Sequence, residues 1–238
     1  MSRMIVADVS SPAAVYGVHG AAGLTYWSCL TRRAGLDGDW EAIEWASVPP
    51  GGISGEHLHS RTEEIYFILS GTADFVLDGV AHRVTAGHLG LTAVGSRHAL
   101  HNAGDEPVNW LVIEMLSPHT AAAVRGRPAP DLRRTMGSTV LNLRDLRSVD
   151  PRQAFTGPLE SIKLTTLDPG ESVEVVSAGR EHTLFLLSGS ATATSGVTRV
   201  PLAVGSSVTL PLRAAATLQA GPEGAEFFQA TMVVDGTR

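Results

Sequence analysis

The chain has 238 residues, a net charge of −6 and a single cysteine. One cysteine excludes an internal disulfide framework and a metal site built from cysteines. It carries no basic stripe, so nucleic acid and an anionic membrane surface are not expected as partners. No run of 18 apolar residues occurs, and the first residues lack a basic segment followed by an apolar core. We therefore expect a cytoplasmic protein. Cys29 lies in the strand-like segment LTYWSCL and is expected to be a small buried hydrophobe.

Short apolar segments separated by turn residues predict β-strands along most of the chain. In the first half these segments are WEAIEWASV, EEIYFILSG, TADFVLDG, HRVTAG, LGLTAVG, HALHNAG and VNWLVIEML. Residues 118–137, rich in proline, arginine and small residues, break the pattern and are predicted to be a linker. Strand patterns resume with TVLNLRDL, LESIKLTTL, ESVEVVSAG, HTLFLLSGSATATSG, SSVTLPL and AEFFQATMVV. The sequence thus predicts an all-β protein with two domains, residues 1–117 and 138–238.

The second half of the chain repeats the first. EEIYFILSGTADFVLDG aligns with EHTLFLLSGSATATSG and places Gly71 over Gly189, an offset of 118 residues. The same offset places Gly87 over Gly205. Two copies of a unit made of short antiparallel strands, without helical intervals, predict a sandwich or a closed double-sheet roll.

Histidines in two distant segments form a candidate metal site. GEHLHSRTEEIYFILSG places His57 and His59 one residue apart, and because a strand alternates its side chains they point the same way. GHLGLTAVGSRHALHN adds His98 at the start of another predicted strand. Imidazoles that converge with a carboxylate suggest a metal ion, although the same residues could form a polar loop.

Two neighbouring glutamates accompany these histidines. Glu64 shares a strand face with Tyr66, and this face is expected to point into the interior. Glu63 takes the opposite face and is expected to lie at a solvated strand end.

The spacing of these residues resembles the two sequence motifs of the cupin superfamily. The first motif extends from Gly51 to Gly71, and the second from Gly87 to Asn102, with Ala93 where proline is usual. The resemblance implies a jelly-roll β-barrel, and the repeat implies a bicupin with two tandem jelly-roll (double-stranded β-helix) barrels. The metal ligands of the family map onto His57, His59, Glu64 and His98.

The second copy has lost this ligand set. Its residues at the four positions are Val175 and Ser177 (or Val176 and Ala178), His182 and Ala216. Valine and alanine cannot bind a metal ion, so we predict one divalent ion per chain, in the N-terminal barrel. His182 is expected to be a packed or hydrogen-bonded histidine.

Three imidazoles and one carboxylate suit Fe(II), Mn(II), Ni(II), Co(II) or Zn(II). In octahedral geometry this set leaves two adjacent positions open, for a small-molecule substrate and O₂. That favours Fe(II) and an oxygenase (dioxygenase) acting on a small metabolite of specialised biosynthesis, with Tyr66 as the candidate catalytic hydrogen-bond donor. The alternatives are a metal-dependent isomerase or cyclase without O₂, in which the ion is a Lewis acid, and a non-catalytic ligand-binding bicupin.

A homodimer is also expected. GLTYWSCL resembles the N-terminal strand that cupins often exchange across a dimer, and an exposed strand edge is a liability unless it is covered.

Overall fold

The computed structural model describes residues 3–132 and 135–234. Residues 133–134 of the predicted linker lie outside this part, and the linker begins with a short helix, α1 (Pro118–Val124). Ser117 caps α1 by accepting a hydrogen bond from the Thr120 amide, and proline occupies the first turn, where its missing N–H costs nothing. No helix within the described ranges has the length and apolar character needed to cross a membrane.

Strands make up most of the first half. Their bounds are β1 Ile5–Ala7, β2 Ala13–Tyr16, β3 Leu24–Arg32, β4 Trp40–Val48, β5 Ile53–Leu58, β6 Thr62–Ser70, β7 Thr72–Leu77, β8 Val80–Thr85, β9 His88–Thr92, β10 Arg97–His101 and β11 Val108–Leu116. A 3₁₀ turn, Val18–Gly20, lies between β2 and β3.

The second half is built in the same way. Its strands are β12 Thr139–Asn142, β13 Ser148–Val149, β14 Leu159–Leu167, β15 Ser172–Val176, β16 Arg180–Ser195, β17 Thr198–Leu202, β18 Ser207–Leu210 and β19 Ala215–Val233. The helix α2 (Leu143–Leu146) follows β12, and the 3₁₀ turn Pro151–Gln153 follows β13.

The N-terminal barrel consists of a large and a small sheet. The large sheet has the order β12-β9-β6-β11-β4-β3-β2, and the small sheet has the order β5-β10-β7-β8. The alternating residues of β6, β11 and β4 that face the small sheet form a buried core, which contains Tyr66, Ile68, Trp110 and Val112 together with Phe75 of the small sheet. This interior also holds the candidate site.

The C-terminal barrel is one continuous sheet with the strand order β1-β18-β16-β19-β14-β13. In addition, β15 pairs with β19, and β17 pairs with β16. The long strands β16 and β19 take part in both layers of this barrel. Its interior is filled with apolar side chains, among them Val175 and Ala216. The predicted all-β fold with two jelly-roll barrels is confirmed.

The two halves exchange strands. β1 pairs with β18 of the C-terminal barrel, with Val6 opposite Val208, and β12 pairs with β9 of the N-terminal barrel, with Val140 opposite Gly90. The start of each predicted range, 1–117 and 138–238, therefore contributes a strand to the barrel formed by the other range.

A second apolar core joins the barrels. It lies between the outer face of the large N-terminal sheet and the C-terminal sheet and contains Trp40, Phe67, Phe155, Phe228 and Met232, all buried. Phe67 and Phe228 meet with ring centroids 4.8 Å apart. Each such side chain contributes about 1.5–3 kcal/mol of hydrophobic stabilisation, so the two barrels are held as one body.

Cys29 departs from its expected burial. It is exposed and lies on the same face of the large sheet as its register partner, Glu44 of β4. This face is the inner one, but the opposite sheet has only four strands against seven. The segment predicted to exchange across a dimer, residues 23–30, lies within this chain between β2 and β4.

Candidate metal centre

Four side chains meet inside the N-terminal barrel. One ligand atom from each of His57, His59, Glu64 and His98 lies within 4.8 Å of the others, and three of the four residues are buried. The distance from Glu64 Oε2 is 2.9 Å to His98 Nε2 and 3.3 Å to His59 Nε2. His57 Nε2 lies 3.1 Å from His59 Nε2. The residues that the sequence singled out are thus brought together in space.

Strand pairing positions these side chains. β5 carries His57 directly opposite His98 on β10, while His59 follows the end of β5. Glu64 projects from β6 of the facing sheet. The site therefore spans the two layers of the barrel and forms only when they close.

Each imidazole is held through its Nδ1 atom. His57 Nδ1 lies 3.0 Å from the Gly55 carbonyl oxygen, and His98 Nδ1 lies 2.6 Å from Thr92 Oγ1. His59 Nδ1 lies 3.3 Å from Thr62 Oγ1. These contacts leave the Nε2 atoms for the centre of the cluster, as in metal sites whose histidines are oriented by outer partners.

The Thr62 hydroxyl extends one of these contacts to a second carboxylate. It donates a 2.9 Å hydrogen bond to Glu114 Oε1, so it accepts from His59. Burial raises the pKa of Glu114, and the nearby charge of Glu64 raises it further. The string of carboxylate, hydroxyl and imidazole fixes the orientation of His59.

The charge of Glu64 dominates the electrostatics of the cluster. Burial raises the pKa of its carboxyl group, but interactions with the imidazoles of His59 and His98 outweigh burial and lower it to about 2. Burial lowers the pKa of His59, whereas its interactions with Glu64 and Glu114 raise it, and the net shift is upward. Glu64 is therefore a carboxylate at neutral pH and can bind a cation.

His57 behaves in the opposite way. Burial is the main reason that its pKa falls from 6.5 to about 4, and the positive charges of neighbouring histidines add to the effect. It is a neutral imidazole at neutral pH, which is the form that binds metals.

These residues fit a divalent metal ion. Both Glu64 Oε2 and His98 Nε2 are buried, and neither has a hydrogen-bond partner of acceptable geometry. A buried polar atom without a partner is costly, and a cation in contact with both atoms would satisfy them. The site could therefore bind a divalent metal ion through three imidazoles and one carboxylate.

His19 is a neighbour of the site that the sequence patterns do not single out. Its ring stacks on His57 with centroids 3.6 Å apart, and its Nδ1 lies 3.2 Å from Ser54 Oγ. His19 adopts a left-handed backbone conformation (φ 53°), which is unusual for a residue other than glycine. A Cβ atom at Gly55 would overlap the His19 carbonyl oxygen, so this glycine permits the turn to approach β5.

Tyr66 lies inside the barrel, as its alternation with Glu64 predicts. It is 1% exposed, and its ring centroid is 4.5 Å from that of His98. Burial, and then the negative charge of Glu64, raise the pKa of its hydroxyl group well above the usual value. Tyr66 is therefore a protonated hydrogen-bond donor at neutral pH.

The equivalent position in the second barrel has no such cluster within the described residues. His182 is buried, and its Nδ1 lies 3.1 Å from Thr231 Oγ1, which agrees with the expected hydrogen-bonded histidine. Val175 and Ala216 are buried among apolar side chains.

The expectation for Glu63 was wrong. It is 1% exposed, and its carboxylate accepts hydrogen bonds from the amides of Thr156 and Gly157 in the other half of the chain. The face of β6 opposite to Glu64 is covered by the C-terminal barrel, which alternation within one strand does not reveal.

Comparison with known families agrees with this architecture. Residues 44–114, which contain all four cluster residues, match the family model described as a cupin domain. Residues 44–114 thus form a cupin domain, and the two barrels of the chain agree with a duplicated, bicupin form.

Known proteins share parts of the sequence or the fold. An oxalate-binding protein of Thermotoga maritima is 26% identical over 106 residues, which cover 44% of this chain and 88% of that protein. The structure of the protein Ylba from E. coli matches 100% of this chain over 93% of the Ylba chain, at 11% sequence identity and with a TM-score of 0.76. A salicylate 1,2-dioxygenase from Pseudaminobacter salicylatoxidans covers 83% of this chain and 72% of its own at 15% identity, with a TM-score of 0.65. At these identities the two structures show a common fold.

Proposed function

We propose that the protein is a metal-dependent enzyme, specifically a non-haem Fe(II) oxygenase that acts on a small metabolite. The observation that carries this proposal is the buried set of three imidazoles and one carboxylate. A redox-active ion held by these residues would supply electrons to O₂. The proposed ligands are His57, His59, Glu64 and His98.

The protein's own residues support chemistry in this interior. The hydrogen bonds to the Nδ1 atoms keep the three imidazoles oriented towards the centre. Three of the four proposed ligands are buried, so the electrostatic interactions among them are stronger than in solution. We assign to Tyr66 the donation of a hydrogen bond to the substrate, and loss of such a donor costs about a hundredfold in rate.

The experiment is oxygen uptake by protein loaded with Fe(II), in the presence of oxalate, salicylate or gentisate. These candidates are taken from the similar proteins, an oxalate-binding protein and a salicylate 1,2-dioxygenase, a variant of which was solved in complex with gentisate. We expect uptake that depends on substrate and is lost in His98→Ala. His182→Ala is the matched control, because it removes a buried histidine of the other barrel, and it should retain uptake.

Turnover without oxygen would overturn the oxygenase proposal. If protein loaded with Zn(II) or Mg(II) converts a substrate at the full rate under anaerobic conditions, the isomerase or cyclase alternative replaces it. Anaerobic titration with nitric oxide, a surrogate for O₂, gives a second readout, since an oxygenase should bind it more tightly once substrate is present.

A further inference from the structure

Two buried hydrogen-bond donors inside the N-terminal barrel lack a well-aligned acceptor. Trp110 is 0% exposed and Tyr66 is 1% exposed. The Tyr66 hydroxyl lies close to the Ser54 and Trp110 side chains, but neither this hydroxyl nor the Trp110 indole N–H makes a hydrogen bond of acceptable geometry. Buried tyrosine and tryptophan side chains usually find a partner. Trp27 illustrates the usual case, because its indole N–H donates a 2.9 Å hydrogen bond to Thr25 Oγ1.

The two donors belong to the same interior as the histidine cluster. Tyr66 lies opposite Val112 across the β6–β11 pair, and Trp110 lies opposite Ile68, so both side chains are on the inner face of the sheet. The ring centroids of Tyr66 and Trp110 are 5.6 Å apart. Tyr66 in turn packs against His98. The Tyr66 hydroxyl lies beside the Trp110 side chain, so the two donors converge in one part of this interior.

The chemistry of the donors specifies what this acceptor must be. An indole N–H can only donate, and a phenol hydroxyl at neutral pH carries a proton that it can donate. A ligand with an ammonium or an N–H group at this point would leave both donors unsatisfied, at a considerable cost in binding free energy. A carbonyl, carboxylate or enolate oxygen would accept from both.

We propose that Trp110 and Tyr66 form a two-donor site that binds an acceptor oxygen of the substrate, and that the substrate is accordingly a carboxylic acid or carbonyl compound. This inference rests on the proposed function and narrows its substrate class. The inference adds Trp110 to the substrate-binding residues, although Trp110 is not one of the proposed metal ligands. Sites of this kind reject analogues that lack the matching polar group.

The test is calorimetric binding of oxalate and salicylate to protein loaded with Zn(II), an ion without redox chemistry that avoids turnover. Trp110→Phe and Tyr66→Phe each remove one donor, and each should weaken binding about tenfold, the effect of one lost hydrogen bond of ordinary strength. Trp27→Phe is the matched control, because it alters a neighbouring tryptophan whose donor is already satisfied. The affinity of this variant for oxalate and salicylate should stay within about twofold of the wild type.

Imidazole is the control ligand. It binds metals through one nitrogen and presents an N–H instead of an acceptor oxygen, so its affinity should be the same in all variants. The inference is overturned if neither oxalate nor salicylate binds the wild type, or if Trp110→Phe and Tyr66→Phe bind both anions as the wild type does. An equal loss of affinity for imidazole would also overturn it, because this would indicate a damaged metal site.

Thermal unfolding without ligand provides an independent readout. Tyr66→Phe removes a buried hydroxyl group that makes no hydrogen bond of acceptable geometry, so the melting temperature of this variant should equal or exceed that of the wild type. A lower melting temperature would show that the hydroxyl group already has a structural role, and it would contradict the inference. If the anions bind as predicted but Fe(II)-loaded protein takes up no oxygen, the two-donor site stands and the oxygenase proposal fails.

Discussion

Glu63 and Glu181 occupy equivalent positions in the two copies, and each binds the backbone of the opposite barrel. They are separated by the same 118-residue offset that aligns the glycines of the two copies. Glu63 accepts hydrogen bonds from the amides of Thr156 and Gly157 at 2.6 and 3.0 Å. Glu181 accepts from the amides of Asp37 and Gly38 at 2.8 and 2.9 Å. The two carboxylates thus form a pseudosymmetric pair of contacts between the barrels.

Glycine allows this close approach on both sides. A Cβ atom at Gly38 would lie 2.9 Å from Glu181 Oε2, and one at Gly157 would lie 2.7 Å from Glu63 Oε2. The Trp40 indole N–H adds a 3.0 Å hydrogen bond to Glu181. These hydrogen bonds satisfy backbone donors that are buried or partly buried between the barrels.

Replacement of Glu181 should therefore destabilise the whole molecule. In Glu181→Gln the amide NH₂ group faces backbone donors, so we expect a loss of about 2–3 kcal/mol in the free energy of unfolding, measured by urea denaturation. Glu174→Gln, at an exposed position of β15, should change it by no more than about 0.5 kcal/mol. Equal stability of the two variants would contradict the proposed role of the carboxylate.

The sequence predicts the barrels and the cluster because both depend on local spacing. Strand alternation and the turn glycines fix where His57, His59 and Glu64 point. The role of Glu63 and the position of His19 depend instead on contacts with distant segments, and strand exchange through β1 and β12 leaves no pattern within either strand. Cys29 is exposed because the facing sheet is short, which the sequence of β3 does not encode.

The hydrogen-bonded string from His59 to Glu114 should contribute to metal affinity. Glu114→Gln weakens the acceptor of the Thr62 hydroxyl and so the orientation of His59. We expect affinity for Zn(II), measured by competition with a chromogenic chelator, to fall about tenfold. Glu56→Gln, an exposed change on the strand that carries His57, is the control and should leave affinity unchanged. The same affinity in both variants would remove Glu114 from the site.

Metal-free protein should lose stability as the pH falls from 6.5 to about 4. The pKa of His57 is lowered from 6.5 to about 4 in the folded state, so between these values the unfolded chain binds more protons than the folded one. Acidification therefore favours unfolding. The pKa of His59 is raised above 6.5 in the folded state, so the contribution of His59 to stability is complete below pH 6.5 and is lost only at higher pH. Its effect on stability is opposite to that of His57 and falls outside the range from pH 6.5 to 4.

Urea midpoints of chelator-treated protein at pH 7, 5 and 4 would measure this loss. It should be smaller in His57→Asn than in the wild type, whereas His119→Asn, a change at an exposed histidine, should follow the wild type. Identical profiles for all three proteins would show that His57 does not titrate as its burial requires.

We also predict a homodimer in solution. β2 is the outer strand of the large sheet, with Tyr16 73% exposed and Leu24 of the adjoining strand 42% exposed. Such an edge invites pairing with a second copy. Light scattering at micromolar concentration should give twice the mass of the chain, and Tyr16→Asp should shift the protein towards monomer. A monomeric wild type would exclude this assembly.

Elemental analysis of purified protein tests the central claim most directly, because it counts the ions that each chain holds. The proposed ligand set predicts one equivalent of a divalent transition metal per chain, retained in His182→Ala and lost in both His98→Ala and Glu64→Ala. Two equivalents per chain, or an unchanged metal content in His98→Ala, would contradict a single centre built from His57, His59, Glu64 and His98.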